Sequence, residues 1–511
     1  MNAKTLKRVN LKNGKKLFKK LKEPGNSLTE KTLKGGFWVF GLRITDRIFG
    51  LIRTIILARL LSPNDFGVFG IALLALSALD TFSQTGFKQA LIQKKEETKD
   101  YLNTTWTVGV IRALFIAVIL FFLAPLAANF FETPAVEPIL KVIGISIILQ
   151  GLTNIAVLYF EKELEFQKFF KYQFLGTITD VVVSITAAFL LKNVWALVFG
   201  LLAGNLVRCI MSYVIDKYRP KIQLNKNQAK ELFNFGKWIM GSSIMMFFLT
   251  EGDDILIGKI LGATMLGFYQ MAYKISNLPA TEITHVISQV TFPAYSKLQD
   301  NIPKLKEAYL KVLQVTAFLS FPIAGLIFVL APDFTQIFLG EKWMPMVPAM
   351  QILCIFGTLR AFNATTGPIF QAVGKPSILT KISLIQLIFL GVIIYPFTTK
   401  GNLAGVSWAV TLSNSLCFIL SFQKILEITK ETRKNIVSVV VPPALVTTGI
   451  MCLIHLLKII MLNKTSLFTI FILSILLSLT IIYLIYGKIL GFSFSSFFNS
   501  GNFFKKKYEN K

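Results

Sequence analysis

The sequence predicts an all-α integral membrane protein with about fourteen transmembrane helices, in two parallel six-helix lobes followed by two additional C-terminal helices. Two observations predict this fold class. Of the 511 residues, 53% are hydrophobic, and the apolar runs reach roughly 18 residues or more, the length that crosses a bilayer as a helix. The N-terminal half also recurs in the C-terminal half, which indicates a duplicated membrane protein.

The duplication is recognised from positions that match at a spacing of two hundred residues. In order, the matched pairs are Gly36 and Gly236, Trp38 and Trp238, Gly41 and Gly241, Ile44 and Ile244, Ile55 and Ile255, Leu61 and Leu261, Gly67 and Gly267, and Ala72 and Ala272. An even number of predicted spans separates the copies, so both insert in the same orientation. The halves are therefore predicted to be parallel repeats around an axis along the membrane normal.

The predicted spans follow the apolar runs in chain order. They are residues 37–60, 66–87, 104–127, 138–160, 172–191, 194–215, 237–260, 265–290, 309–331, 345–369, 377–397, 402–422, 436–457 and 466–487. The predicted domains are a basic cytoplasmic tail (1–35), an N-terminal six-helix lobe (36–215), a cytoplasmic linker (216–236), a C-terminal six-helix lobe (237–423), two additional helices (424–487) and a second basic tail (488–511).

The formal net charge of +27 first suggests a nucleic-acid partner, but its placement indicates membrane topology. With both termini in the cytoplasm, most Lys and Arg fall on the cytoplasmic side. The opposite side holds Lys192, Lys259, Lys342, Lys400, Lys458 and Lys464. This asymmetry follows the positive-inside rule. The charge therefore predicts a multi-pass protein of the cytoplasmic membrane, in contact with membrane lipids and not with nucleic acid.

Residues that would carry metal, redox or covalent chemistry are scarce. The four cysteines fall inside predicted spans, and His285 and His455 are too few and too far apart for a ligand cluster. No phosphate-binding loop or nucleophile motif is present, and the outer loops are short. We therefore expect neither a metal site, a cofactor nor an enzymatic activity; a membrane polymerase or ligase is the least favoured interpretation.

Four segments resemble the polysaccharide transporter family of lipid-linked oligosaccharide flippases, the O-antigen, colanic acid and teichuronic acid type. They are residues 56–67 (ILARLLSPNDFG), 254–259 (DILIGK), 292–296 (FPAYS) and 374–376 (GKP). The family belongs to the multidrug/oligosaccharidyl-lipid/polysaccharide exporter (MOP) superfamily, which includes the multidrug and toxin extruders (MATE). The resemblance covers residues 33–430 and implies alternating access between two lobes.

The resemblance also implies a substrate and a cellular location. The substrate would be an undecaprenyl-pyrophosphate oligosaccharide carried to the outer leaflet of a bacterial cytoplasmic membrane for surface polysaccharide biosynthesis. A polysaccharide polymerase and chain-length proteins are candidate partners. A multidrug or cation antiporter of the same superfamily is the alternative function; an antiporter would be expected to have a cavity dominated by acids.

The first predicted span is unusually charged. Arg43, Asp46, Arg47 and Arg53 share an arc of roughly 120° on a helical wheel at about 100° per residue. Isoleucines cover the other face. An arginine at a helix centre costs about 2.5–3.5 kcal/mol, so it seldom faces lipid. The excess of cations would suit a pyrophosphate. Alternatively, Asp46 neutralises one arginine and the others extend to the headgroups.

The superfamily resemblance supports the substrate-facing interpretation, because the segment 46–53 (DRIFGLIR) is similar to the first helix of the lipid II flippase, whose arginines line a central cavity. The candidate substrate-binding residues are Arg43, Arg47, Arg53, Arg112, Arg208 and Arg360. The candidate coupling or gate residues are Asp46, Asp80, Asp180, Asp253, Asp254 and Lys274. For each of these charges, a pair that only joins two helices is the alternative role.

A gate is predicted from the repeat, because Arg53 and Asp253 occupy equivalent positions. In parallel lobes they should lie at similar depth, where an ion pair would close the outer side. The alternative is that Asp253 and Asp254 pair within their own lobe, for instance with Lys274.

We expect the double variant Arg47→Ala/Arg53→Ala to abolish polysaccharide export while the protein still inserts, because both cations lie on the polar face of the first span. Surface polysaccharide should be measured beside the abundance of the protein in the membrane. Normal export from an abundant double variant would contradict the cationic-cavity interpretation.

Overall fold

The structure is a computed structural model that describes residues 28–84, 86–87, 101–163, 165–278, 291–430, 432–461 and 465–485. Within these ranges the chain is helical and contains no strand. Nine of the described helices are long and apolar enough to cross a membrane. The all-helical class predicted from the hydropathy pattern is therefore confirmed for this part of the chain, which is that of a multi-pass membrane protein.

Contacts divide the chain into two compact units, Met1–Thr264 and Met265–Lys511. The helices of the first unit are α1 (Leu28–Leu60), α2 (Pro63–Phe82), α3 (Tyr101–Phe130), α4 (Val136–Leu152), α5 (Val157–Lys162), α6 (Phe166–Leu191), α7 (Trp195–Ile215) and α8 (Lys226–Ile260). Within this unit α6 packs along α7, α3 along α4 and α1 along α6, and α8 lies against α2.

The next helix, α9 (Ala263–Ser276), begins at the boundary of the two units. The remaining helices of the second unit are α10 (Ile302–Phe334), α11 (Val347–Ala372), α12 (Ser377–Thr429), α13 (Arg433–Met461) and α14 (Leu467–Leu484). A π-helical turn (Thr335–Leu339) and a 3-10 turn (Glu341–Met346) join α10 to α11. Residues 279–290 of the eighth predicted span, residues 1–27 of the N-terminal tail and the C-terminal tail 488–511 lie outside the described residues.

The segment 62–67 begins α2 through specific capping contacts. Ser62 caps the N-terminus of α2: its side chain accepts from the Asp65 backbone N–H, and the Asp65 carboxylate accepts from the Ser62 backbone N–H. Pro63 takes the first helical position, where its missing N–H costs nothing. This capping box fixes where α2 begins.

The fourth predicted span, 138–160, is not one helix. α4 ends at Leu152, and α5 begins only at Val157. Between them the buried Asn154 accepts from the Ala156 backbone N–H and donates to the Tyr218 carbonyl, while its own N–H donates to Ser212. These bonds satisfy the backbone that the missing helical turn would have paired.

The eleventh and twelfth predicted spans, 377–397 and 402–422, both fall within α12. This helix is broken at Asn402, whose backbone lies at φ 49° and ψ −136°. Gly405 permits a close approach at the break, because a Cβ there would lie 1.9 Å from the Phe397 carbonyl oxygen.

In the second unit, α13 docks closely on α10. A Cβ at Gly325 would lie 2.4 Å from a methyl carbon of Thr447, so only glycine allows this approach. Lys458 was expected in an outer loop, but it lies within α13, forms an ion pair with Asp333 and donates to the Val329 carbonyl at 2.9 Å. The helix extends past the predicted span because this partner satisfies the ammonium group away from water.

The same end of α10 contains Pro332, which cannot donate to the Phe328 carbonyl four residues earlier. The side-chain amide of Gln351 on α11 donates to that carbonyl at 3.1 Å. A side chain of a neighbouring helix thus replaces the lost backbone bond, as buried carbonyls in an apolar environment require.

We expect Lys458→Met to destabilise the protein by about 3 kcal/mol, because it leaves the carboxylate of Asp333 buried without its cation. The side chains are only 15% and 11% exposed. The double variant Lys458→Met/Asp333→Leu should recover most of this loss, because an apolar pair of similar volume replaces the charges. Thermal unfolding in detergent measures both effects. Equal losses in the single and double variants would show that the ion pair is not what fixes α13.

Candidate polar site of the first unit

An ion pair joins α1 to α6. The Nη2 atom of Arg53 lies 3.1 Å from Oδ1 of Asp180, and the Nε–H of Arg53 donates to the Ser184 hydroxyl at 2.9 Å. The side chains of Arg53 and Asp180 are 20% and 22% exposed. Two residues that the sequence singled out separately, one as a substrate contact and one as a coupling acid, are therefore direct partners.

The pair depends on close packing of α6 against α7. Gly200 and Gly204 form a Gly-xxx-Gly spacing on α7, a pattern that lets two membrane helices approach closely. A Cβ at Gly200 would lie 2.6 Å from Oδ1 of Asp180, and a Cβ at Gly204 would lie 3.0 Å from the Gly176 carbonyl oxygen. The carboxylate of Asp180 thus occupies space that only glycine leaves open.

One turn further along α7, Arg208 packs against α6. A Cβ at Gly176 would lie 2.4 Å from Cγ of Arg208. The guanidinium donates from Nη1 to the Asn205 side chain at 3.0 Å, and Asn205 in turn donates to Ser146 on α4. Arg208 is therefore held between α4, α6 and α7.

The acid of the first predicted span joins the same group. The Thr177 hydroxyl donates to Asp46 at 3.0 Å, and Asp46 interacts electrostatically with Arg208 and Arg47. We call this group the polar layer; it comprises Asp46, Arg47, Arg53, Thr177, Asp180, Ser184, Asn205 and Arg208. Arg43 lies on α1 one turn before Arg47; Arg43 is half-buried, and Arg47 is exposed.

The predicted division of α1 into a polar and an apolar face can be compared with the exposure of its residues. Ile44, Ile48 and Ile52 are 43%, 53% and 43% exposed, whereas Arg53 reaches inward to α6. An isoleucine face without protein partners suits contact with lipid. The structure therefore places Arg53 and Asp46 on the side of α1 that contacts α6, whereas Arg47 is exposed.

The other candidate residues lie outside the polar layer. Arg112 pairs with Asp80 at 2.6 Å in the first unit, and Arg360 donates to the Tyr273 hydroxyl at 2.7 Å in the second. Lys274 is exposed, whereas Asp253 and Asp254 are buried. Since Arg53 pairs with Asp180 in this structure, the Arg53–Asp253 gate stays a prediction.

Sequence reasoning missed the uncharged members of the polar layer, namely Thr177, Ser184, Asn205 and the Ser146 that Asn205 contacts. Two spacings could have indicated them. Gly176, Asp180, Ser184 and Ala188 recur every four residues on α6, and Gly200, Gly204 and Arg208 do so on α7. Positions four apart share one helix face, so both spacings mark the surface on which the two helices meet.

Apart from the polar layer, a hydrogen bond joins two matched positions of the sequence repeat, Asn64 at the start of α2 and Thr264 at the start of α9. The Thr264 hydroxyl donates to the Asn64 side-chain oxygen at 3.2 Å, and these residues are two hundred positions apart. Beside them, a Cβ at Gly67 would lie 1.6 Å from the Ala263 carbonyl oxygen, so no other residue fits there. We call these four residues the repeat contact.

An ion pair lies on α8 near the repeat contact. Lys259 contacts Glu132, in the α3–α4 turn, at 2.8 Å and lies over the Phe130 ring. The hydrogen bond from Lys259 lowers the pKa of Glu132 below its usual range. A lowered pKa means that the pair persists at neutral pH and is lost only as the pH falls through that lowered value.

Among the described residues, no group of three or more His, Cys, Asp or Glu side chains could hold a metal ion. The chemistry available to the polar layer is electrostatic: arginines held by acids and hydroxyls in an apolar surround, where they can exchange one anionic partner for another.

Comparison with known proteins identifies the family. The family model described as polysaccharide biosynthesis protein matches residues 56–348, more than half of the chain. The chain belongs to this family. This chain is 26% identical over 399 residues to the lipopolysaccharide biosynthesis protein WzxC of Escherichia coli, with 78% of this chain and 81% of WzxC covered. It is 22% identical over 397 residues to the teichuronic acid biosynthesis protein TuaB of Bacillus subtilis, covering 77% and 82%.

Solved structures show the fold of this family member. It is similar to the lipid II flippase MurJ in an inward closed conformation, with a TM-score of 0.67, 15% identity, and 89% of this chain and 99% of MurJ covered. It is also similar to an inward-facing multidrug resistance MATE transporter of the MOP superfamily, with a TM-score of 0.61, 17% identity, and 76% and 96% covered. The predicted resemblance to the family and the MOP-type fold are both confirmed.

We expect Asp180→Asn to destabilise the protein by about 2 kcal/mol, because Arg53 keeps its charge and loses its anion. The loss should be smaller than for a fully buried pair, since both side chains are about one-fifth exposed. Unfolding in detergent measures this loss of stability. Gly200→Ala is a second variant, because its Cβ would lie 2.6 Å from Oδ1 of Asp180 and displace the carboxylate.

Gly50→Ala is the matched control, because a Cβ at Gly50 meets no atom within 4 Å. A Gly200→Ala protein as stable as this control would contradict the packing described around Asp180.

Proposed function

We propose that this protein is a flippase that moves an undecaprenyl-pyrophosphate-linked oligosaccharide from the cytoplasmic to the outer leaflet for surface polysaccharide biosynthesis. The family match supports polysaccharide biosynthesis, and the relatives include proteins named as a succinoglycan biosynthesis transport protein and a putative O-antigen transporter. The shared fold with the lipid II flippase MurJ suits a lipid-linked substrate. The protein would be a transporter and not an enzyme.

The observation that carries this proposal is the excess of arginine in the polar layer and beside it. Arg43, Arg47, Arg53 and Arg208 stand against two acids, Asp46 and Asp180. Charges within a membrane protein are costly, so an excess of one sign indicates a ligand of the other sign. Arginine suits the planar, multiple hydrogen bonding that a pyrophosphate offers. A multidrug antiporter for cationic drugs would not benefit from this excess.

The proposed arrangement has about fourteen membrane-crossing helices. Residues 36–215 and 237–423 would form two six-helix lobes joined by the linker 216–236, and residues 424–487 would add two helices. Both termini would lie in the cytoplasm of a bacterial cell, with the protein in the cytoplasmic membrane. A polysaccharide polymerase and chain-length proteins would receive the product at the outer side.

Alternating access is supported by the repeat contact. In the proposed topology, Asn64, Gly67, Ala263 and Thr264 lie at the outer ends of α2, α8 and α9, and the Glu132–Lys259 pair lies beside them. Contact here would close the outer side while the substrate enters from the cytoplasm. Arg360 and Arg112 would be further contacts for the lipid-linked substrate, and Asp253, Asp254 and Lys274 would act in gating or coupling.

A flipping assay tests the function. The protein is reconstituted into vesicles with undecaprenyl-pyrophosphate oligosaccharide on one leaflet, and its appearance on the other leaflet is followed with a membrane-impermeant glycosidase. We expect transfer that accelerates when the potential drives negative charge, because one charge moving through 100 mV gains about 2.3 kcal/mol. No transfer above that of empty vesicles would contradict the proposal.

The same assay tests the closure. Asn64→Cys/Thr264→Cys, linked by a short bismaleimide, should stop transfer, because the hydroxyl of Thr264 lies 3.2 Å from Asn64 and the closed contact could no longer open. Each single cysteine variant treated in the same way is the control. Undiminished transfer from the linked double variant would show that the repeat contact does not open during transport.

A further inference from the structure

A cavity of about 310 Å³ lies within the first unit, apart from the polar layer. Its walls come from the end of α2, the first turns of α3, the break between α4 and α5, and α6. In the proposed topology this is the cytoplasmic side. The volume lies at the lower end of ligand pockets, which span about 300–1,000 Å³, and so suits a group the size of one ring.

The break in the fourth span forms one wall. Thr153, Asn154 and Ile155 line the cavity where α4 has ended and α5 has not begun. The backbone groups that a broken helix leaves without helical partners need other partners, from side chains, water or a ligand. The bonds of Asn154 to Ser212 and Tyr218 hold this break in one shape, so the wall is preformed.

One polar group in the cavity has no partner within the described part of the chain. The hydroxyl of Thr105 lines the cavity and makes no hydrogen bond, although the residue is only 3% exposed. Elsewhere in this protein a buried helical threonine bonds the carbonyl four residues earlier, as Thr316 does to Val312 at 2.8 Å. A buried hydroxyl without a partner costs about 1–3 kcal/mol, which a hydroxyl-bearing ligand would remove.

The other lining groups have matching chemistry. Arg112 uses Nε and Nη2 to bond Ser83 and Asp80, and among the described residues its Nη1 makes no hydrogen bond. The amides of Gln84 and Gln150 and the indole ring of Trp106 complete the wall. Amides that donate and accept, a guanidinium donor and an apolar ring are the groups that together recognise a sugar.

We propose that this cavity binds one sugar ring of the lipid-linked oligosaccharide from the cytoplasmic side, so that the protein recognises the glycan as well as the pyrophosphate. This inference rests on the proposed function. Arg112, Thr105 and the two glutamines would hydrogen-bond the ring hydroxyls, and Trp106 would cover its apolar face. The pyrophosphate would remain with the polar layer, which is a separate group of residues.

Two variants alter the cavity without disturbing its surroundings. Thr105→Val removes the hydroxyl and keeps the shape, and Gly109→Leu fills the cavity, because Gly109 lines it and a Cβ there meets no atom within 4 Å. Thr316→Val and Gly449→Leu are the matched controls. Thr316 bonds only within its own helix, and a Cβ at Gly449 likewise meets no atom within 4 Å.

The experiment measures the affinity of the full chain in nanodiscs for two probes: undecaprenyl pyrophosphate without sugar, and the lipid-linked repeat unit extracted from host membranes. The wild-type protein should bind the second probe about tenfold more tightly. Thr105→Val should lose about three- to tenfold of this difference, the contribution of one hydrogen bond. Gly109→Leu should abolish the difference. Both variants should bind the bare lipid as the wild type does, and both controls should keep the difference.

The outcomes separate the two hypotheses. Equal wild-type affinity for both probes, or a Gly109→Leu protein that keeps the difference, would overturn the sugar site and leave the flippase function standing. Failure of the wild-type protein to bind either probe would contradict the proposed function itself. Thermal unfolding adds a further check: Thr105→Val should be at least as stable as the wild type, because it removes an unbonded buried hydroxyl, whereas a lower unfolding temperature would indicate a structural role.

Discussion

The close approach of α6 and α7 is the constraint on which the site depends. Glycines at 200 and 204 let α6 lie near enough for Asp180 to fill the space beside α7. That position of Asp180 holds Arg53, and the pair thereby joins α1 to α6. In a membrane, apolar side chains gain little by meeting one another instead of lipid, so such close backbone approach and polar pairing must supply the specificity.

Charged groups of two kinds occur in the described part of this protein, the single ion pair and the larger polar layer. The Lys458–Asp333 pair is a simple tether, with both charges nearly buried and a carbonyl as third partner. The polar layer has more cations than acids, and it adds hydroxyls and an amide that can accept or donate as the charges shift. In the Lys458–Asp333 pair, each charge is neutralised by the other. The polar layer keeps a surplus of positive charge, which is the property on which the proposed binding of a pyrophosphate rests.

The hydropathy and charge of the sequence predicted the helical fold class. The apolar runs predicted helices, and the wheel of the first span predicted an apolar face whose isoleucines at 44, 48 and 52 are exposed. The partner of Arg53 could not be predicted, because Asp180 lies 127 residues further along the chain and the periodicity of one helix carries no information about its neighbour. The break at Asn154 was missed for a different reason: two polar residues barely change the mean hydropathy of a long apolar window.

The repeat contact has a consequence for how the two copies could diverge. In a dimer of identical halves, a residue on the symmetry axis meets its own copy, so each side chain must complement itself. Within one fused chain that restriction is lifted. Position 64 now presents an oxygen that accepts and position 264 a hydroxyl that donates. Nearby, Gly67 faces the backbone carbonyl of Ala263. Two matched positions of one chain can therefore carry different side chains, and here one of them supplies the acceptor and the other the donor of a hydrogen bond.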